Sequence, residues 1–304
     1  MSNKTCIIIS GPTAVGKTTL AVALAIRYKT SIISADSRQC YKEISIGVAK
    51  PSKEELSLVP HYFINSHSIQ EEINAAGFEK YALAVVDEIF AKNDLAIMVG
   101  GTGLYIKAFC EGLDAIPHVD PSIREAIIQQ YEAKGMEWLQ QELKEKDPNY
   151  FKTGEIQNPQ RVMRALEVMQ STGHSILHFQ KGNKAERNFN IIKIGLTLPR
   201  EVLYSRINLR VENMLEEGLL DEVKGLIPFK NLNALQTVGY SELFEYFEGK
   251  CTREAAIDAI KKNTRHYAKR QETWFRKDAD IKSFNFATEE MLTDYLDEKL
   301  KDLR

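Results

Sequence analysis

At 304 residues the chain is long enough for one sizeable core plus a smaller domain or insertion. With 43% hydrophobic and 27% charged residues it has the make-up of a soluble globular protein, and a formal net charge of -2 excludes a global basic field, so a nucleic-acid partner needs local basic patches. No segment approaches the roughly 20 apolar residues of a membrane span, and Cys6, Cys40, Cys110 and Cys251 contain no CxxC pair, which argues against a disulfide framework or Cys-rich zinc site and for a reduced, cytoplasmic setting.

Thr5 to Ser10 reads as a buried strand, Gly11 to Gly16 as a turn, and Lys17 to Tyr28 as an Ala- and Leu-rich helix. Ser31 to Ala35 is a second short apolar strand that ends at Asp36. Phe78 to Ala91 has helical period. Leu95 to Val99 is a third apolar strand, running into Gly100-Gly101-Thr102-Gly103. Short buried strands alternating with helices predict an α/β fold with a parallel sheet core. From Asp120 to about Gln180 the chain is charged and helical. Asp120-Pro121 and Asn158-Pro159 are helix-start signals, and Gly173 is a stop. Phe189 to Leu198 returns to strand character. The predicted organisation is therefore a core of residues 1–112 and 188–304 with a helical insertion over 113–187. Beyond Arg200 the chain reads as mostly helical, and residues 288–304 as a solvated amphipathic helix. No internal repeat is visible.

Gly11-Pro12-Thr13-Ala14-Val15-Gly16-Lys17-Thr18 fits GxxxxGK[ST] at each fixed position, between a strand and a helix. The turn amides and the helix N-terminus favour an anion, Lys17 adds a positive charge, and the Thr18 hydroxyl can ligate Mg2+. Most such loops bind ATP or GTP and are paired with a carboxylate that ends a neighbouring apolar strand. Here the third strand ends in Gly-Gly-Thr, and Asp94 sits at its wrong, N-terminal end. The best-placed carboxylate is Asp36. A parallel sheet gathers ligands at the C-terminal ends of its strands, so Asp36 and Thr102 should both lie near the loop. From spacing alone Asp36 is open to three roles: metal ligand, general base or helix cap. The C-terminal stretch holds Lys261, Lys262, Arg265, Lys269, Arg270, Arg276 and Lys277 against one acidic residue, Glu272, with Tyr267, Trp274 and Phe275 interleaved. Basic residues neutralise phosphates and aromatics stack on splayed bases, so this is the strongest physical sign of a nucleic-acid partner.

The joint order of seven blocks resembles the tRNA dimethylallyltransferase (isopentenyl-tRNA transferase) family, bacterial type. They are GPTAVGKT at 11–18, ADSRQCYKEISIGVAKP at 35–51, VGGTGLYIKA at 99–108, NPQRVMRALEVMQSTG at 158–173, RVENMLEEGLLDEV at 210–223, QTVGYSEL at 236–243 and NTRHYAKRQETWFRKD at 263–278. The resemblance implies a P-loop-like core, Mg2+ as cofactor, and transfer of a dimethylallyl group from dimethylallyl pyrophosphate to the exocyclic amine of the adenosine 3′-adjacent to the anticodon. It implies Asp36 as general base and Thr102 as an orienting group. Gly11 to Thr18 with Arg210 would bind the pyrophosphate. The tRNA anticodon stem-loop would meet Asp36, Ser37, Arg38, Gln39, Thr102, Arg124, Gln160, Arg161, Val162, Met163, Arg164, Gln236, Gly239, Tyr240, Lys269, Arg270 and Trp274. A monomer is expected. Cys40 and Val48 depart from the family pattern, and Val48 removes a hydroxyl. His174 and His178 have H-x3-H spacing but lack the paired cysteines of a zinc site.

Overall fold

The computed structural model describes residues 3–182 and 184–303. They divide into two compact units, Met1–Cys110 with Glu186–Arg304, and Glu111–Ala185.

The first unit is built on a sheet whose apolar strands are covered on both faces. Its elements are β1 (Thr5–Ser10), α1 (Lys17–Arg27), β2 (Ile32–Ser34), α2 (Lys53–Leu58), β3 (His61–Tyr62), α3 (Ala75–Phe90), β4 (Leu95–Gly100) and α4 (Gly103–Glu111). The second unit supplies α5 (Pro121–Lys146), α6 (Pro148–Thr153), α7 (Pro159–Thr172) and α8 (Ile176–Phe179). The first unit then resumes with β5 (Asn190–Thr197), α9 (Arg200–Glu216), α10 (Leu219–Gly225), α11 (Ser241–Phe247), α12 (Arg253–Phe275), β6 (Lys282–Asn285) and α13 (Glu289–Asp302). All six strands are parallel, in the order β3-β2-β4-β1-β5-β6.

Alternation along β1 separates two apolar layers. Cys6 and Ile8 face a layer with Phe78, Val86 and Phe109, while Ile7 and Ile9 face one with Leu24, Ile194 and Ile207. α9 contributes Leu203 and Ile207 to the second layer and Val211 to the first. It therefore crosses from one side of the sheet to the other, and this places its middle turns at the mouth of the sheet. Close packing of β2 and β4 needs Gly100, because a Cβ there would lie 2.2 Å from the Ala35 carbonyl oxygen.

The second unit is a helical cluster. Asp120 and Asn158 cap α5 and α7, each with Pro in the first turn, and Gly173 ends α7 in the left-handed region at φ 71°. α5 is broken at Gly135, where φ is 75°. Leu139, Leu143, Val162, Met163, Leu166 and Ile176 form its core.

Several features depart from the sequence expectation. β3 is only two residues long, so no apolar run announces it. β6 is a polar, largely exposed edge strand, KSFN, with no apolar run to announce it. α13 is amphipathic as expected but not simply solvated: Leu292 and Leu296 are fully buried in the layer beside α1, and Asp297 bonds Arg27 and Tyr28.

Replacing Gly100 with Ala should lower unfolding free energy by about 1–3 kcal/mol in urea titration, the usual cost of forcing atoms into a filled core. The Ala35 backbone that must move leads directly to Asp36, so activity should fall further than stability.

Candidate functional site

The turn after β1 is held open by its own backbone geometry. Gly11 has φ 147° and Gly16 φ 102°, and Ala14 also sits at positive φ, 64°. At Gly11 a side chain is excluded by the Leu196 carbonyl, 2.6 Å from where its Cβ would be. Thr13 is fixed on both sides. Its N–H donates to Gln271 Oε1 at 2.8 Å, and its Oγ1 accepts from Arg210 Nη1 at 3.1 Å. Gln271 is itself buried and donates from Nε2 to the Gly101 carbonyl at 2.9 Å. Pro12, Thr13, Ala14 and Val15 therefore shape the loop, with Val15 also buried in the core.

Two chambers adjoin this loop. One, of about 300 Å³, is lined by Gly16, Lys17, Thr18, Glu55, Arg206 and Arg210 among others. The other, of about 540 Å³, is lined by Thr13, Asp36, Ser37, Arg38, Arg210, Gln236, Gly239, Tyr267 and Arg270, with an apolar part from α9, α12 and Val238. Arg210 and Ala49 line both. Lys17 Nζ donates to the Pro12 carbonyl at 2.7 Å. Burial, then the nearby Arg210 charge, push its pKa down from 10.5 to about 7, partly opposed by Asp36. Arg210 is likewise pushed down by burial. Cations held close together without enough carboxylates mark an anion site.

Asp36 follows β2, where the parallel sheet gathers strand ends. Its Oδ1 accepts from the Arg38 and Gln39 amides at 2.9 and 3.3 Å, while Oδ2 has no hydrogen bond among the described residues. Thr102 Oγ1 accepts from the Ser37 N–H at 3.0 Å. Tyr267 lines the larger chamber together with Asp36. Burial first and Asp36 second raise its phenol to about 12, with Thr102 opposing, so it stays protonated at neutral pH. Gln39 bonds within the protein: its Oε1 accepts from Ser34 Oγ at 3.1 Å and its Nε2 donates to the Ala49 carbonyl at 3.0 Å.

The remaining expected residues scatter in role. Arg270 stacks over the Tyr267 ring at 5.7 Å and lines the larger chamber. Trp274 is 39% exposed and lies against Gly103, where a Cβ would be 2.2 Å from the indole. Lys269 is exposed, whereas Phe275 of the same helix is core. Tyr240 cannot offer its ring to a partner. It is fully buried against Gly47 and donates to Glu222 Oε1 at 2.5 Å. In the second unit, Gln160 and Arg161 are exposed, and Arg161 pairs with Glu155. Arg124 and Arg164 both bond the buried Glu167, at 2.8 and 3.1 Å. Val162 and Met163 do not face outward as expected. They are 0% and 3% exposed in that unit's core, because the apolar face of α7 includes them. His174 and His178 stack at 5.1 Å.

Sequence reasoning missed Glu222 and Gln271. Glu222 accepts from the amides of Ser45 and Ile46 at 2.9 Å each and of Gly47 at 3.1 Å. A Glu and a Gln in helices carry no periodic signal that could have singled them out.

A family model described as IPP transferase matches residues 39–278. The chain is 49% identical over 300 residues to a tRNA dimethylallyltransferase of Cytophaga hutchinsonii, covering 99% of each chain. It is 50% identical over 301 residues to one of Christiangramia forsetii, again covering 99% of each. Among solved structures, the full-length tRNA isopentenylpyrophosphate transferase of Bacillus halodurans is 36% identical, with a TM-score of 0.73 over 99% of this chain and 98% of that one. A eukaryotic dimethylallyltransferase acting on tRNA is 27% identical, with a TM-score of 0.73 over 93% and 74% of the two chains.

Because Lys17 loses its proton near pH 7, an anion bound beside it must restore that proton. The free protein is charged there below about 7 and largely neutral above it. Binding of inorganic pyrophosphate should therefore take up close to one more proton at pH 8.5 than at pH 6 from this group. Calorimetry in buffers of differing ionisation enthalpy reads that uptake, and Lys17→Met should remove the difference.

Proposed function

The chain belongs to the IPP transferase family, and on that premise we propose that it transfers a dimethylallyl group from dimethylallyl pyrophosphate to the exocyclic amine of the adenosine 3′-adjacent to the anticodon of tRNA. The observation that carries this reading is the pairing of a phosphate loop with Asp36 across two chambers that share Arg210. An NTPase would want a carboxylate at the end of β4 beside the loop. That strand ends in Gly100 and is followed by Gly101 and Thr102.

The chemistry asks for two things. An adenine exocyclic amine is a poor nucleophile, since its lone pair is delocalised into the ring, and an allylic carbon compensates by stabilising developing positive charge. The carbon–oxygen bond to pyrophosphate breaks, the leaving group keeps the electron pair, the nitrogen–carbon bond forms, and the amine loses a proton. Lys17, Arg210 and the amides at the start of α1 suit the growing negative charge on the leaving group. Asp36, with Oδ1 held by two amides and Oδ2 open, suits the proton. Thr102 and Tyr267 suit the orientation of the amine beside it.

Mg2+ fits the loop's donor set. Thr18 lines the smaller chamber and offers a hard hydroxyl oxygen. Among the described residues no group of three or more His, Cys, Asp or Glu is placed to hold a metal. The other positions would fall to phosphate oxygens and water, the usual arrangement for Mg2+ at a phosphate site. When bound, the ion neutralises charge on the leaving pyrophosphate.

The acceptor base has to leave the anticodon-loop stack to reach Asp36. Arg38, Arg270 and Trp274 suit it on the first unit, and Gln160 and Arg161 are the exposed candidates on the second. No helix among the described residues is long and apolar enough to cross a membrane, and a cytoplasmic monomer is the setting this reading takes.

Incubation with labelled dimethylallyl pyrophosphate, Mg2+ and unmodified tRNA carrying adenosine at the target position should place label in the tRNA; its absence would retire the reading. Asp36→Asn should lower the transfer rate by about 10²–10⁴-fold, the usual range for loss of a general base, while donor binding stays within twofold. Near-normal turnover in that variant would remove Asp36 as the base.

A further inference from the structure

One face of α9 runs past Arg210 along the larger chamber. Ile207, Arg210, Val211 and Met214 all line it, and their i, i+3, i+4, i+7 spacing is that of a single helix face. Of the four, Arg210 also lines the phosphate-loop chamber, and Ile207 also packs under the sheet. Val211 is 2% exposed in the core. Met214 is half-buried and packs against that core from the chamber side. It lies one helical turn beyond Arg210, about 6 Å along the axis. Ile260 of α12, Val238, Val48 and Ala49 add to the apolar lining.

We propose that Met214 is a specificity-determining residue that limits the donor's hydrocarbon chain to one isoprene unit. The inference rests on the prenyltransfer reading, with Arg210 on the pyrophosphate. The reacting carbon must sit between Arg210, which holds the leaving group, and Asp36, which faces the incoming amine. The chain beyond that carbon needs apolar surface, and Asp36, Ser37, Arg38 and Arg270 make their share of the lining polar. Such surface is offered along α9 towards Val211 and Met214. A dimethylallyl group ends within that turn. A second isoprene unit runs on into the Met214 thioether. Methionine is unbranched and adaptable, so the exclusion is graded and not absolute.

The experiment compares kcat/KM for dimethylallyl and geranyl pyrophosphate, with unmodified tRNA and Mg2+, in wild type, Met214→Ala and Met214→Phe. One methylene in an apolar pocket is worth roughly 10–200-fold in selectivity, and Met214→Ala removes several heavy atoms. The geranyl-to-dimethylallyl ratio should therefore rise at least tenfold in Met214→Ala. In Met214→Phe, dimethylallyl transfer should fall while inhibition by inorganic pyrophosphate stays within twofold of wild type. A ratio that stays within twofold in Met214→Ala overturns the inference, as does wild type that uses both donors equally. If Met214→Ala does not fold, Met214→Phe decides, and unchanged dimethylallyl transfer there overturns the inference too. Failure of wild type to use dimethylallyl pyrophosphate at all would instead count against the function itself, so the two failures are distinct.

Discussion

One buried amide sets the geometry on which the rest of the site depends. Gln271 joins the Thr13 N–H to the Gly101 carbonyl, and so ties the turn after β1, the turn after β4 and α12 together. Leaving either backbone group buried without its partner costs about 1–3 kcal/mol, which holds the amide in this orientation. The contact also explains why residue 101 is glycine: a Cβ there would lie 2.1 Å from Gln271 Nε2. With Gln271 fixed, the helical repeat dictates the rest. Four residues earlier, Tyr267 lines the larger chamber. Three residues later, Trp274 covers Gly103. Arg270 turns into the larger chamber. The chemistry-bearing face of α12 therefore follows from a single register.

The opposite wall is fixed by a carboxylate. Glu222 accepts from three successive amides, Ser45 to Gly47, and from the Tyr240 hydroxyl, whose pKa is raised by burial and then by Glu222. A carboxylate takes several donors where a neutral amide takes fewer, so it suits a segment that has no strand or helix to satisfy its N–H groups. The wall continues through Ala49, at φ 48°, whose carbonyl accepts from Gln39. Gln39 in turn gives its backbone N–H to Asp36. The position of Asp36 is thus set from β2, from Thr102 through Ser37, and from the Glu222-anchored wall.

What the sequence makes legible is whatever is periodic or covalently constrained. Short apolar runs mark β1 and β4, Asx-Pro pairs mark the starts of α5 and α7, and the phosphate loop is recognisable because its glycines answer to backbone geometry. β6 was hidden because an exposed edge strand needs no apolar alternation. Val162 and Met163 were misplaced because adjacent positions in a motif were read together, although a helix sends neighbours to different depths: Arg161 emerges while Val162 is buried. Tyr240 lies ahead of α11, where no periodic signal marks its burial against Gly47. Spacing alone leaves Asp36 open to metal ligand, general base or cap. In the structure Oδ1 caps the turn that follows by accepting from the Arg38 and Gln39 amides, and Oδ2 makes no hydrogen bond among the described residues.

Thr13 spends its N–H on Gln271 and its hydroxyl on Arg210, so the first half of the loop is committed to structure. The second half, from Ala14 to Thr18, carries the amides at the start of α1 and the Lys17 ammonium. Lys17 rests on the Pro12 carbonyl, and its charge is weakened by burial and by Arg210. An anion arriving there strengthens both cations at once, because it offsets the burial and repulsion that lower them. The site therefore interacts most strongly when negative charge is greatest. On a pyrophosphate donor that moment is the departure of the leaving group, so electrostatic stabilisation is weighted towards the transition state and away from the ground state. A loop shaped in advance by Gln271 needs little reorganisation to exploit it.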